Sequence, residues 1–179
     1  MDSKLAQSER RVLALEIRPA VTGFVVFEGR ERLLDWGMRK YRARKGTLTT
    51  VMAKKMNMLV DSYRPSVVAV RARDVRSHRA RRRIDAVMRV IRGEAERRAI
   101  RFQIISTAAI RAVFALHHRA TKQEIATLIA RWFPELSPKL PPTRKSWKAE
   151  DHRMILFDAA ATALAFLNRA PPKAIREMD

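Results

Sequence analysis

The chain has 179 residues, 47% of them hydrophobic, and no cysteine. That length and hydrophobic share predict one globular domain with a core of its own, and the lack of cysteine excludes a disulfide framework and a thiolate metal site. The 38 Lys and Arg residues against 18 Asp and Glu give a net charge of +20, which favours a polyanion such as nucleic acid as the partner.

The two ends of the chain are predicted to flank a single domain. Residues 1–10 are polar and lack the apolar core of a signal peptide, so we expect a flexible N-terminus, a domain over 11–169 and a tail over 170–179. No apolar run approaches the ~20 residues of a membrane helix. We therefore expect a protein of a bacterial-type cytoplasm with no membrane partner.

Strands are predicted to dominate the first half of the chain. Three short aliphatic segments with brief links predict an antiparallel meander, at residues 11–18, 22–28 and 33–41. Apolar residues at helical spacing predict a helix over 48–63. The run VVAVR at 67–71 is typical of a buried parallel strand.

Helices are predicted to dominate the second half, at residues 78–99, 107–115, 122–133 and 150–169. The segment FQIIS at 102–106 predicts a fifth strand between the first two of these helices. Thr121 and Glu124 match a capping box at the start of the third helix. Four prolines within 134–146 predict a loop.

This order of elements, and three segments in it, resemble the RuvC-like Holliday-junction resolvases of the ribonuclease H-like class. LALEIRPAVTGFVVFE resembles their first hairpin, PSVVAVRA their fourth strand and AEDHRMILFDAAATALAF their final helix. The patterns TKQEIA, FPEL and EDHRM resemble an uncharacterised bacterial group of such proteins. The resemblance covers about residues 11–168. It implies an α/β fold with a mixed five-stranded sheet, three antiparallel strands followed by two parallel ones, flanked by helices.

The resemblance also implies a site for two divalent ions, ~4 Å apart, between converging carboxylates. Mg²⁺ or Mn²⁺ would suit such oxygen ligands. The candidate catalytic residues are Glu16, Asp151 and Asp158, with Glu16 and Asp158 as metal ligands. Each has a structural alternative: a salt bridge from Glu16 to Arg18, a helix N-terminal role for Asp151, and an ion pair from Asp158 to an arginine of the sheet.

The fourth strand departs from the family pattern. Where the family carries a glutamate, this chain carries Arg71, and a cation there would repel a divalent ion. The chain therefore predicts a degenerate metal site with no cofactor, in which Arg71 replaces the charge of the ion by pairing with Glu16 and Asp158. If the site is active, Mg²⁺ or Mn²⁺ is the expected cofactor.

Basic clusters are the candidate nucleic-acid-binding residues. Ten arginines lie between residues 76 and 101, and two smaller clusters follow the third predicted strand and flank a tryptophan. The candidates are Arg39, Lys40, Arg42, Arg44, Lys45, Arg76, Arg79, Arg82, Arg83, Lys145 and Trp147. Arginine forks match phosphate geometry, and Trp147 would stack on a base. The alternatives are solvated helix faces and, for Trp147, core packing.

These observations predict a nucleic-acid-binding RuvC-like domain with a degenerate metal site. One alternative is a Mg²⁺- or Mn²⁺-dependent, structure-specific endonuclease with a rearranged carboxylate set. Another is a basic scaffold that binds a protein or ribosomal RNA. The sequence leaves open DNA against RNA, branched against linear substrates, and monomer against homodimer.

Overall fold

The computed structural model describes residues 11–40, 48–72, 75–114, 120–143 and 149–167. Within these residues, the central sheet has five strands in the order β3-β2-β1-β4-β5. The strands are β1 (Arg11–Arg18), β2 (Val21–Glu28), β3 (Arg32–Lys40), β4 (Val67–Arg71) and β5 (Arg101–Ile105). The first three strands pair antiparallel, whereas β4 pairs parallel with β1 and with β5. The predicted mixed sheet is confirmed.

Helices cover both faces of this sheet. The described helices are α1 (Leu48–Tyr63), α2 (His78–Arg97), α3 (Thr107–Phe114), α4 (Lys122–Trp132), a 3-10 helix (Pro134–Lys139) and α5 (Met154–Phe166). One hydrophobic cluster joins α1 and α2 to one face of the sheet, and a second joins α3, α4 and α5 to the other. None of the described helices has the length and apolar composition needed to cross a lipid bilayer.

Strand alternation decides which side chains face α5. In β1, Val12 and Ala14 belong to the cluster that contains α5, whereas Leu13 and Leu15 belong to the cluster of α1 and α2. Because successive side chains point to opposite faces, the side chains at 16 and 18 share the α5 face. The same count in β4, from Val67 and Ala69, places Arg71 on that face.

Helix α5 lies directly on the first hairpin. All its side chains from Met154 to Leu164 are buried, which makes it the central helix of its layer. A Cβ atom at Gly23 of β2 would lie 2.8 Å from the carbonyl oxygen of Ile155, so glycine allows the close approach of helix and strand. This contact gives a physical reason for glycine at position 23.

The predicted elements match the observed ones apart from a few boundaries. Part of the predicted loop over 134–146 is the 3-10 helix. The last helix begins at Met154 rather than at 150, because the carboxylate of Asp151 accepts a 2.8 Å hydrogen bond from the backbone N–H of Arg153 and holds a turn there. Helix α2 ends at Arg97 because Ala99 has a φ of 55°. The predicted flexible N-terminus and C-terminal tail lie outside the described residues.

Candidate functional site

Several of the predicted residues that the structure describes lie along one edge of this sheet. Strands β1, β4 and β5 run parallel, and β3 shares their direction because it is antiparallel to β2. Their carboxyl ends therefore lie at one edge of the sheet, which we call the carboxyl edge. Arg18, Lys40 and Arg71 are the last residues of their strands, and α2 starts from this edge after β4.

Asp158 of α5 is the centre of a network of ion pairs near the carboxyl edge. Its side chain is 7% exposed. Its Oδ1 atom accepts a 3.0 Å hydrogen bond from Nη1 of Arg71, and its Oδ2 atom accepts from Nη2 of Arg18 at 3.0 Å and from Nζ of Lys122 at 3.1 Å. Three cations from β1, β4 and α4 thus converge on one carboxylate.

Glu150 closes the network on its more exposed side. Its Oε2 atom lies 2.8 Å from Nη2 of Arg18, and its Oε1 atom lies 2.8 Å from Nζ of Lys122. We call these five residues (Arg18, Arg71, Lys122, Glu150 and Asp158) the charge cluster. Its three positive and two negative charges give it an excess of positive charge. The three cations also compensate the cost of burying the carboxylate of Asp158, which would be high for an unpaired carboxylate.

Local structure explains how Lys122 reaches the cluster. It is the first residue of α4, directly after the N-cap Thr121, whose side chain forms the predicted capping box with Glu124. The capping box fixes where the helix begins. It therefore fixes the position of the Lys122 backbone, from which the side chain extends to the charge cluster. Sequence reasoning missed Lys122 and Glu150 as site residues. The motif TKQE was the available signal for the first, and the motif EDHRM, which begins at Glu150, was the available signal for the second.

Glu16 and Asp151 are placed differently. Glu16 is fully buried in β1, on the α5 face that also carries Arg18 and Arg71. Asp151 precedes α5, and its Oδ2 atom lies 2.7 Å from Nη2 of Arg153. Hydrogen bonds from the side chain and then the backbone of Arg153 lower the pKa of Asp151 to about 2. Because the helix starts at 154, Asp151 lies before it and does not share a helical face with Asp158.

The residues present do not fit a divalent metal centre. A hard cation such as Mg²⁺ needs several oxygen ligands at fixed distances. Both oxygens of Asp158 instead accept hydrogen bonds from arginine or lysine. Among the described residues, no group of three or more His, Cys, Asp or Glu side chains is arranged to hold a metal ion.

The amino-terminal part of α2 presents a second basic surface at the carboxyl edge. Arg79 and Arg82 are exposed on the helix, Arg83 is half-buried, and Arg76 is exposed just before the N-cap Ser77. The opposite side of the helix is buried in the core, at Ile84, Val87, Ile91 and Ala95. We call Arg76, Arg79, Arg82 and Arg83 the α2 arginines.

Acidic side chains neutralise arginines at the other edge of the sheet but not the α2 arginines. Arg11 and Arg32 both pair with Glu28, and Arg98 pairs with Asp61. None of the α2 arginines forms an ion pair with a carboxylate of a described residue. The described carboxylates therefore leave the positive charge of the α2 arginines unneutralised.

The third strand adds two more of the predicted binding residues. The guanidinium of Arg39 lies 4.6 Å from the centre of the Phe24 ring, and the carbonyl of Lys40 accepts a 2.5 Å hydrogen bond from Nζ of Lys55. The remaining predicted binding residues lie outside the described part of the chain, namely Arg42, Arg44, Lys45, Lys145 and Trp147.

Known structures resemble this one in fold. No protein-family model matches the sequence, and no curated protein does. The Thermus thermophilus RuvC in complex with a Holliday junction substrate superposes with a TM-score of 0.67 at 17% identity, covering 87% of this chain and 91% of that one. The yeast mitochondrial Holliday junction resolvase Ydc2 superposes with a TM-score of 0.64 at 14% identity, covering 89% and 78%.

A third match is more distant. The Fowlpox virus resolvase, in a complex with Holliday junction DNA, superposes with a TM-score of 0.51 at 9% identity and covers 89% of this chain and 99% of that chain. Identities this low establish the fold and not the chemistry. The strand order and pairing, together with these superpositions, show that the chain has a RuvC-like fold of the ribonuclease H-like class.

Proposed function

We propose that this protein is a nucleic-acid-binding domain in which a fixed set of cations takes the place of a metal centre. The observation that carries the proposal is Asp158, whose two oxygens accept hydrogen bonds from Arg18, Arg71 and Lys122. A divalent ion would have to displace these cations. The carboxyl edge therefore attracts phosphates through permanent charges of the protein.

The α2 arginines supply the main contact with nucleic acid in this proposal. They lie at the carboxyl edge on an exposed helix surface, and no described carboxylate neutralises them. Guanidinium groups bind phosphate oxygens bidentately. Such contacts release counterions and carry little sequence information, so binding is expected to be salt-sensitive and weakly sequence-selective.

Branched DNA is the preferred ligand within this proposal. The T. thermophilus and Fowlpox virus proteins of the same fold are described in complexes with a Holliday junction. The likeness of fold alone does not transfer that ligand. A four-way junction, a duplex of matched length and an RNA duplex are therefore the ligands to compare, and ribosomal RNA or a protein partner would be the alternative.

The second candidate is a Mg²⁺- or Mn²⁺-dependent endonuclease with a rearranged carboxylate set. Its support is that Glu16 and Asp158 are both buried, at 0% and 6% exposure, because buried carboxylates often mark functional sites. It requires that metal binding separates Asp158 from its three cations.

Salt-dependent binding tests the main proposal. The triple variant Arg79→Ala, Arg82→Ala and Arg83→Ala should lose most of the affinity for a junction or duplex, and the slope of log K against log salt should become shallower by about 0.9 for each lost phosphate contact. The matched control is Arg32→Ala, Arg97→Ala and Arg131→Ala, which removes the same charge away from the α2 arginines.

The control separates a local contact from a general effect of net charge. The proposal expects the control variant to bind nearly as tightly as the wild type, with both variants retaining the wild-type melting temperature. Equal losses in the two variants, or a wild-type affinity that does not change between low and physiological salt, would contradict it.

A further inference from the structure

A cavity of about 190 Å³ lies beside the charge cluster, on the face of the sheet opposite α2. It lies between α3, α4 and α5, at the carboxyl end of β4. Its volume corresponds to about six water molecules, and it is smaller than the ~300 Å³ at which sites for drug-sized ligands begin. The cavity is partly open to solvent, so a ligand larger than this volume can enter it and leave part of itself outside.

The wall of the cavity is positively charged. Arg71, Arg111 and Lys122 line it together with a single carboxylate, Asp158, so the cations outnumber the anion. Arg111 is exposed on α3 and pairs with none of the described carboxylates. Thr107 and Thr121 line the same wall. Such a set of donors suits an anion with several acceptor oxygens.

Arg71 has one donor that none of the described residues satisfies. Its Nη1 atom donates to Asp158, but its Nε atom is buried and has no hydrogen-bond partner among the described residues. An unsatisfied buried donor is unfavourable. Because this atom has almost no accessible surface, a ligand oxygen in the cavity reaches it only if the Arg71 side chain moves.

The remainder of the cavity wall is apolar, with Ile110, Ile125, Met154, Phe157 and Ala161. An inorganic anion makes no use of this surface, whereas a ligand with both a phosphate and a flat ring makes use of both parts. Apolar surface with a few converging polar groups is typical of small-molecule sites.

We infer that this cavity binds one nucleotide, with the base against the apolar wall and the phosphate at Arg71, Arg111 and Lys122. The inference rests on the proposed nucleic-acid binding, which it deepens by naming an unpaired or terminal nucleotide as the part of the ligand recognised here. The site lies at the same edge of the sheet as the α2 arginines but on the other face, so the two surfaces can be changed separately. A free mononucleotide carries the same chemistry as a strand end.

Calorimetric titration of the full chain with adenosine 5′-monophosphate, adenosine and inorganic phosphate tests the inference. The monophosphate should bind, and each of its two halves should bind at least about tenfold more weakly, because each uses only one part of the wall. Arg111→Ala should weaken binding of the monophosphate by about tenfold. Arg131→Ala, at an exposed arginine near the end of α4 that does not line the cavity, should leave it unchanged.

A second variant and a second ligand complete the test. Ile125→Phe, which fills the cavity from a half-buried position, should also weaken binding of the monophosphate while the melting temperature and duplex binding stay at the wild-type level. Single-stranded trinucleotides with and without a 5′-phosphate distinguish a strand end from a free nucleotide as the natural ligand. Preference for the phosphorylated strand, lost in Arg111→Ala, assigns the strand end. Binding of the monophosphate but of neither trinucleotide assigns the free nucleotide.

The outcomes also separate this inference from the proposed function. Phosphate binding as tight as the monophosphate, or monophosphate binding that Arg111→Ala does not change, would overturn the nucleotide site. If duplex binding then still depends on the α2 arginines, the proposed function stands without it. If duplex binding fails while the monophosphate binds at this cavity, the nucleotide site stands and the proposed duplex contact falls.

Discussion

Replacing Asp158 by asparagine tests whether the charge cluster is structural or a metal site without its metal. The asparagine keeps the shape of the side chain but removes a charge that contacts Arg18, Arg71 and Lys122 together. Asp158 is 7% exposed in its side chain, and the two arginines are 17% and 16% exposed, so water screens these charges poorly.

The sign of the effect separates the two interpretations. Removing one partner of a buried ion pair costs about 3–5 kcal/mol, because the opposite charge stays buried without compensation. For a domain of this size, a loss of 1 kcal/mol lowers the melting temperature by about 2–4 °C. Carboxylates gathered to hold a metal repel one another, and neutralising one of them would instead stabilise the protein without metal.

Urea denaturation of the wild type and of Asp158→Asn measures this difference in free energy of unfolding. We expect a loss of about 3–5 kcal/mol, partly offset because Glu150 still pairs with Arg18 and Lys122. Asp61→Asn is the matched control, since Asp61 pairs with Arg98 but is 64% exposed, and a surface pair contributes at most about 1 kcal/mol. A stabilised Asp158→Asn variant, or a loss no larger than that of the control, would refute the reasoning.

Three further predictions follow from single contacts. Cleavage of junctions, duplexes and RNA–DNA hybrids in Mg²⁺ or Mn²⁺ should be absent, and robust cleavage abolished by both Glu16→Gln and Asp158→Asn would contradict this. Arg71→Glu should increase Mn²⁺ affinity in a calorimetric titration, because a cation about 4 Å away repels a divalent ion by about 8 kcal/mol at an effective dielectric of 20. Gly23→Ala should lower the free energy of unfolding by about 1–3 kcal/mol, since the new Cβ would lie 2.8 Å from the carbonyl of Ile155. Asp151→Asn should be less stable than the wild type near neutral pH. In acid melts this difference in stability should shrink as the pH falls from the ordinary pKa of aspartate, 3.8, through the lowered pKa of about 2, because protonation removes the charge that pairs with Arg153. A difference that does not change with pH would show that the Arg153 pair contributes nothing.

The charge cluster changes what the fold is expected to do. In the resolvases that this chain resembles, carboxylates on the first strand, the fourth strand and the last helix are expected to hold divalent ions. Here the fourth strand supplies Arg71 and the first strand adds Arg18, both of which contact Asp158. The guanidinium group of an arginine is part of the protein, so this site needs no metal ion from solution. Such a group cannot activate a water molecule as a bound metal ion does. We therefore expect binding at this edge without cleavage.

The sequence by itself determined most of the elements. Pattern and punctuation are local properties: the alternation of aliphatic residues in RVLALEIR, the valine run before Arg71, and the capping box of Thr121 with Glu124 each act within a few residues. The helix start at 150 was wrong by four residues because the carboxylate of Asp151 bonds to Arg153 and forms a turn. That competition between side chain and backbone is not visible in hydrophobic spacing.

The tertiary structure alone decided the composition of the site. Asp158 lies 140 residues from Arg18 and 87 residues from Arg71 along the chain, so no local pattern could show which cation it meets. Its contact with Lys122 depends on how α4 packs beside α5, and that packing also brought in Glu150 in place of the expected Asp151. Charge pairs of this kind depend on distances set by the packed helices and strands, whereas the sequence specifies only which charges are available for pairing.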